Sequence, residues 1–229
     1  MSASMNLLSI VIRLVISTAV FGAMLFVTAG TLAWPAAWGF LAVITGVMAV
    51  YAAIIVRLHP HLIEERRHPP ADAKQWDRWF VGIVGAAGPV ALLLLAGFDR
   101  RLHWSPPATA WAEVAGLLLV AAGGALTNYA VASNRFFSAL VRIQRDRGHC
   151  VVDTGPYRLV RHPSYTGSMV YMIGMSVALG SRAALVAAIV LTLVLAVRTT
   201  LEDRTLQAEL DGYANYARRV RFRLVPGLW

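Results

Sequence analysis

Long apolar stretches with at most one charged side chain each limit what this chain can fold into more than any other feature. Each approaches the ~20 apolar residues that a helix needs to cross a bilayer. In hydrocarbon no water satisfies the backbone, so stretches of this kind resolve as helices. Six are read: Ser9–Ala29, Trp38–Val56, Trp79–Phe98, Trp111–Ala132, Tyr165–Leu179 and Ala183–Val197. Charged residues make up 14% of the chain, where a soluble domain carries about 25%. The fold expected is therefore all-α and integral to a membrane, with about six transmembrane helices and a cytosolic C-terminal helix. The last two spans are short and meet at Gly180-Ser181, as a tilted hairpin or a re-entrant pair. Arg13, near the start of the first span, reaches the interface by snorkelling. A cleaved signal peptide is not expected, because the first run is long and further spans follow it.

The net charge of +9 suggests nucleic acid until its placement is considered. Arg57, Arg66, Arg67, Lys74 and Arg78 lie between spans two and three. Arg135, Arg142, Arg145, Arg147, Arg158 and Arg161 lie between spans four and five. Arg198, Arg204, Arg218, Arg219, Arg221 and Arg223 follow span six, and the opposite loops hold only Arg100, Arg101 and Arg182. By the positive-inside rule all three basic segments and both termini face the cytoplasm. Anionic headgroups then account for the arginines, so the bilayer is the expected partner and nucleic acid is not. No obligate protein partner is inferred. Scarce lysine beside abundant arginine and alanine suggests a GC-rich bacterial genome, and hence the inner membrane.

No linker or repeat divides the chain, so residues 1–229 are read as one domain. Residues 1–132 hold four spans, and 133–229 hold the polar motifs. Cys150 is the only cysteine, which rules out an internal disulfide; a lone thiol is usually inert. His59-Pro60-His61 forms no ligand set, and no metal is expected. Glycines in span three (Gly82, Gly85, Gly88) and span four (Gly116, Gly123, Gly124) are read as close helix packing. Gly167 and Gly174 are two turns apart on one face of span five, and are read as a face that admits a ligand. Few ionisable groups fall inside the spans, which argues against an ion-coupled transporter.

The most informative segment is V-V-D-T-G-P-Y-R-L-V-R-H-P-S-Y-T-G, Val151 to Gly167. Gly155-Pro156 marks a turn, and Pro163 suits the first position of a helix. Span five then starts at the cytoplasmic surface with Arg161 and His162 at its mouth. The free N–H groups of a helix start attract an anion, which Tyr157, Arg158, Arg161, His162 and Tyr165 would surround. A basic loop capped by proline is the plainer reading of the same residues. After span six, Glu202 and Asp203 return to that mouth, and Glu209 shares the face of Glu202. Carboxylates there suit ribose hydroxyls or a sulfonium charge; salt bridging with Arg198, Arg204 and Arg218 is the alternative.

Taken together, R-H-P-S-Y-T-G, a helical hairpin, Glu202-Asp203, Tyr213-x-x-Tyr216 and R-V-R-F-R-L-V-P-G-L-W resemble the isoprenylcysteine carboxyl methyltransferase family. Phospholipid methyltransferases share the R-H-P and acidic-pair plan. L-H-P-H-L-I-E-E-R, K-Q-W-D-R, D-R-R-L-H-W-S and N-R-F-F-S-A-L-V-R-I-Q-R-D-R-G-H extend the likeness over most of the chain. The resemblance implies S-adenosylmethionine bound at the cytosolic face without a Rossmann unit, and the chain has no G-x-G-x-x-G. It implies a cofactor pocket of Tyr157, His162, Pro163, Tyr165, Gly167, Glu202 and Asp203, with Arg161 and Glu202 catalytic. The family pattern has two glutamates where this chain has Glu202-Asp203, which makes Asp203 the less secure of the two.

The reaction implied is in-line methyl transfer to a thiol or carboxylate of a lipophilic or small apolar acceptor, by positioning and exclusion of water. Asn134, Tyr171 and Gly174 are the candidate acceptor contacts, with Asn128, Phe136, Phe137, Met172 and Met175 nearby. Two other readings stand beside it. Membrane sterol reductases carry a similar R-H-P-x-Y-x-G with NADPH, usually followed by glutamate, where this chain has Ser168. A non-enzymatic membrane protein with degenerate motifs would bind no cofactor.

Overall fold

A computed structural model describes residues 7–67 and 70–229, except the side chains of Glu64, Arg66 and Arg67. The charge reading at Arg66 and Arg67 therefore lies outside the described residues. Every regular element among the described residues is helical. Helices α1 (Leu7–Ala29) and α2 (Pro35–Leu58) form the first hairpin, with Pro35 in the opening turn of α2, where its missing N–H is harmless. A short α3 (His61–Arg67) follows. Helix α4 (Gln75–Gly82) runs through a π-helical turn, Ile83–Ala87, into α5 (Gly88–Leu102). Helix α6 (Ala110–Ser133) starts where the Thr109 hydroxyl accepts from the Ala112 amide at 3.3 Å. Helix α7 (Pro163–Ala178) turns at Gly180 into α8 (Arg182–Glu209), and α9 (Tyr213–Arg219) closes the order.

Five stretches are long and apolar enough to cross a bilayer: Leu7–Ala29, Pro35–Leu58, Gln75–Leu102, Ala110–Ser133 and Arg182–Glu209. The chain is an all-α integral membrane protein. The fifth predicted span is α7, which at 16 residues is about 24 Å long, against a hydrocarbon core of about 30 Å. The α7–α8 turn still reaches the end of the bundle where α5 finishes. There the Ser181 hydroxyl donates to Asp99 at 2.6 Å, and Asp99 also accepts from the Ser105 amide and hydroxyl, both at 2.8 Å. The predicted sixth span, Ala183–Val197, is only the first half of α8, which continues through Glu202 and Asp203 as one helix.

The core draws on all the long helices, with Leu25, Phe40, Leu92, Val120, Met175 and Leu195 buried. Its tightest seam joins α6 to α7, where small residues let the backbones meet. A Cβ on Gly123 would sit 2.5 Å from the Gly167 carbonyl oxygen, and one on Gly174 would sit 2.6 Å from Leu119 Cβ. The Gly167–Gly174 face is thus helix packing, not a ligand face. Conversely, a Cβ on Gly82 would meet nothing within 4 Å and one on Gly85 only Val81 of the same helix at 3.8 Å, and only Gly88 of that trio is crowded, by Leu191 and the Ile83 carbonyl at 2.8 Å. A helix glycine declares small size but not which neighbour needs it, and that explains both departures.

Substitution along the seam tests this arrangement. Gly123→Val or Gly167→Val should each cost about 1–3 kcal/mol through overpacking, lowering the melting temperature in detergent by several degrees. Gly46→Val, where a Cβ meets nothing within 4 Å, should melt with the wild type.

Candidate active site

A cavity of about 780 Å³ lies among the C-terminal ends of α4, α6 and α8, the start of α7 and the loop preceding it. That volume lies in the upper part of the range for small-molecule sites, ample for two modest ligands side by side. Tyr157, Arg161, His162, Tyr165, Glu202, Asn134 and Tyr171 of the predicted set line it. Pro163, Gly167, Gly174 and Asp203 do not. Pro163 serves instead as the first residue of α7, where its ring sets the helix start.

Glu202 supplies the carboxylate of the site. Four residues after Arg198 on α8, it accepts a hydrogen bond from the Tyr165 hydroxyl. Its other oxygen lies 4.0 Å from His162 Nδ1, and the side chain keeps 21% of its surface open. Glu202 can therefore accept further hydrogen bonds. The His162 and Tyr165 rings stack 5.7 Å apart and nearly parallel, forming a flat wall beside it. Arg198 lies over the Tyr165 ring at 5.1 Å and is held by Asp77 of α4 through Nε at 2.7 Å and Nη2 at 2.9 Å. Nη2 also donates to the Ala139 carbonyl at 3.0 Å, while Nη1 forms no hydrogen bond among the described residues. A guanidinium oriented on two sides with one face uncommitted is poised to meet an anionic group.

Asp203 has a different role from its neighbour. It is fully buried and accepts from Arg161 Nε at 2.8 Å and Nη2 at 3.0 Å, a bidentate pair. Gln207, Tyr213 and Arg223 donate to it at 2.9–3.0 Å, and His162 Nε2 lies at 3.3 Å. Arg161 spends its remaining donors on the Val220 and Arg221 carbonyls, at 2.7 and 2.8 Å. The tail then runs alongside the R-H-P segment: the Arg161 and His162 amides donate to Phe222 and Arg223 at 3.0 and 2.9 Å. The expected anion site at Arg161 is thus filled from within by Asp203. Asp203 organises the pocket from behind, and Arg161 reaches the cavity only as part of that frame.

The rest of the wall comes from residues that sequence reasoning weighted lightly. Tyr213 and Tyr216 of α9 line the cavity, and Tyr216 donates to the Tyr157 carbonyl at 2.8 Å. Asn134 donates to the Tyr157 hydroxyl at 3.3 Å. Burial pushes the Tyr157 phenol up to about 12, so it stays neutral at physiological pH and is no base. Burial likewise raises Tyr213 and Tyr216. His149 lies against Phe136, its pKa lowered by burial and by Arg142 and Arg147. Asn128 is bonded to the Val47 carbonyl at 3.1 Å and stays off the cavity, and Glu209 pairs with Lys74 at 2.7 Å. Among the described residues no group of three or more His, Cys, Asp or Glu could hold a metal. Arg198 was findable as the i, i+4 partner of Glu202, but Asp77, 121 residues away, was not.

The two adjacent acids should separate cleanly on substitution. Asp203→Ala strands buried Arg161 and should destabilise the fold by about 3–5 kcal/mol, with the tail becoming protease-sensitive. Glu202→Ala should shift thermal stability by about 1 kcal/mol at most. Equal melting losses would show that both carboxylates are structural.

Residues 111–210 match the phospholipid methyltransferase family. Protein-S-isoprenylcysteine O-methyltransferase B of Arabidopsis thaliana is 31% identical over 123 residues, 52% of this chain and 59% of that protein. The A form from the same plant is 32% identical over 89 residues, 38% of this chain and 41% of its own. The Protein-S-isoprenylcysteine O-methyltransferase of Schizosaccharomyces pombe is 33% identical over 92 residues, 39% of each chain. The matched part thus spans less than two thirds of each of these relatives. The region that carries the R-H-P segment, the helical hairpin and Glu202 is thus similar to phospholipid methyltransferases and to protein-S-isoprenylcysteine O-methyltransferases.

Proposed function

We propose that this protein transfers a methyl group from S-adenosylmethionine to a carboxylate or thiol on a lipophilic acceptor at the membrane. The observation that carries the reading is one cavity lined by an open carboxylate, a stacked His–Tyr wall, a clamped arginine and apolar side chains such as Val81, Met172 and Leu195. The donor set fits a sulfonium nucleoside. Glu202 offers acceptor oxygens for ribose hydroxyls and a negative charge, and Tyr157, Tyr165, Tyr213 and Tyr216 offer aromatic faces. When bound, this cofactor supplies an electrophilic methyl, whose C–S bond breaks as the acceptor's bond to carbon forms, leaving a neutral thioether.

A carboxylate acceptor is ionised at neutral pH and needs no base. The uncommitted Nη1 of Arg198 favours a carboxylate over a thiol, since it can hold one oxygen while the other attacks. The chain's own work is then positioning and water exclusion, with Arg198, Glu202 and the tyrosine wall fixing geometry. We place the basic end of the bundle, both termini and this cavity on the cytoplasmic side of a bacterial inner membrane.

Purified protein should bind S-adenosylhomocysteine, and His162→Ala or Glu202→Ala should weaken binding roughly tenfold or more without loss of fold, as expected for a lost hydrogen bond to a charged group. Calorimetry checks this; selective NADPH binding would instead favour a reductase. For topology, reporter fusions at Asp99 and at Trp229 should report opposite sides of the membrane. The same side for both would sink the orientation.

A further inference from the structure

Asp77 stands outside the cavity yet holds two parts of its wall. It lies in the first turn of α4 and has no exposed surface. Its carboxylate takes three donors: Arg198 Nε at 2.7 Å on one oxygen, and Arg198 Nη2 at 2.9 Å and the Val141 amide at 2.8 Å on the other. The Val141 carbonyl in turn accepts from the Lys74 amide at 2.9 Å, which fixes this stretch of loop against the start of α4. Arg198, Ala139, Leu140 and Val141 line the cavity, whereas Asp77 does not. A guanidinium can grip a carboxylate at both oxygens through either of two forks, Nε with Nη2 or Nη1 with Nη2. Asp77 fills the first fork. The second is closed because Nη2 spends its other hydrogen on the Ala139 carbonyl at 3.0 Å. Only Nη1 is left for a ligand.

We infer that Asp77 is a positioning residue that makes Arg198 a one-point holder: Nη1 takes one oxygen of the acceptor carboxylate and leaves the other free. The inference rests on the methyltransferase reading for what the free oxygen does. That oxygen forms its bond to the methyl carbon as the C–S bond breaks, and the sulfur keeps the electron pair. A carboxylate gripped at both oxygens by an uncompensated guanidinium is bound more tightly and attacks more slowly, since ground-state binding not carried into the transition state slows the step. By filling the fork and offsetting the charge, Asp77 lowers affinity for the acceptor and raises its reactivity. A purely structural ion pair predicts no such opposition: its loss destabilises the fold and gives the acceptor site no tighter grip.

The test uses the full chain in nanodiscs, with 3-(octylthio)propionate and its methyl ester as probes. Titration with and without S-adenosylhomocysteine gives the binding preference for acid over ester. Labelled S-adenosylmethionine gives turnover per S-adenosylhomocysteine-binding site. Asp77→Asn and Asp77→Ser remove the counter-charge from the fork. Each should raise the acid-over-ester preference roughly tenfold, the size of one hydrogen bond to a charged group, while turnover at saturation falls by a similar factor. S-adenosylhomocysteine binding should hold, because Asp77 does not line the cavity. Where a variant is too unstable to titrate, the acid should raise its melting temperature more than that of the wild type, and the ester should not. Affinity and turnover that fall together, or an acid preference unchanged in both variants, overturn the inference. The preference is read without methyl transfer, which keeps the two readings apart. A raised preference in a protein that binds no S-adenosylhomocysteine would retain the role of Asp77 at Arg198 and remove the methyltransferase reading. Cofactor binding with an unchanged preference would do the reverse.

Discussion

The buried carboxylate of Asp203 is the interaction on which the rest of the site depends. Burying a charge is costly unless it is paired and fully hydrogen-bonded, and here Arg161, His162, Gln207, Tyr213 and Arg223 all turn to it. These groups come from the start of α7, from α8, from α9 and from the tail. One saturated acceptor therefore fixes the order in which four segments can pack, and the mouth of α7 takes its shape as a result. A second buried pair, Asp77 with Arg198, does the same for α4 against α8. Both ion pairs link segments distant in sequence, so the cavity is framed by charges that never face its contents directly, Arg161 and Arg198 excepted.

This division of labour separates two neighbouring acids that look alike on paper. Asp203 sits with no exposed surface among donors. Glu202, one residue earlier, points about 100° away around the helix and reaches the cavity. Adjacent helix positions face different neighbours, so one is committed to structure while the other stays available.

Much of the fold was legible because it follows from local rules. The apolar stretches, Pro163 at a helix start and the turn at Gly180-Ser181 need only chain chemistry. The site was half legible: Glu202, His162, Tyr165 and Tyr157 came from one segment and its returning partner. What sequence could not supply was direction. Gly167 and Gly174 read as a ligand face because they follow a polar motif, yet α6 fills the space beside them. Gly82 and Gly85 read as packing, yet a Cβ there would meet no other helix. Arg161 read as an anion receptor, and only the fold of the tail reveals that Asp203 already supplies the anion.

The α7–α8 hairpin is tied at both extremities, by Asp99 to Ser181 at its turn and by Asp203 to Arg161 at its open end. A beam clamped at two points neither slides nor tilts without breaking a buried polar cluster. The α4–α5 helix shares these fixed points, because its Asp99 holds Ser181 and its Asp77 holds Arg198. The width of the cavity and the registration of the bundle are thereby set by the same buried carboxylates.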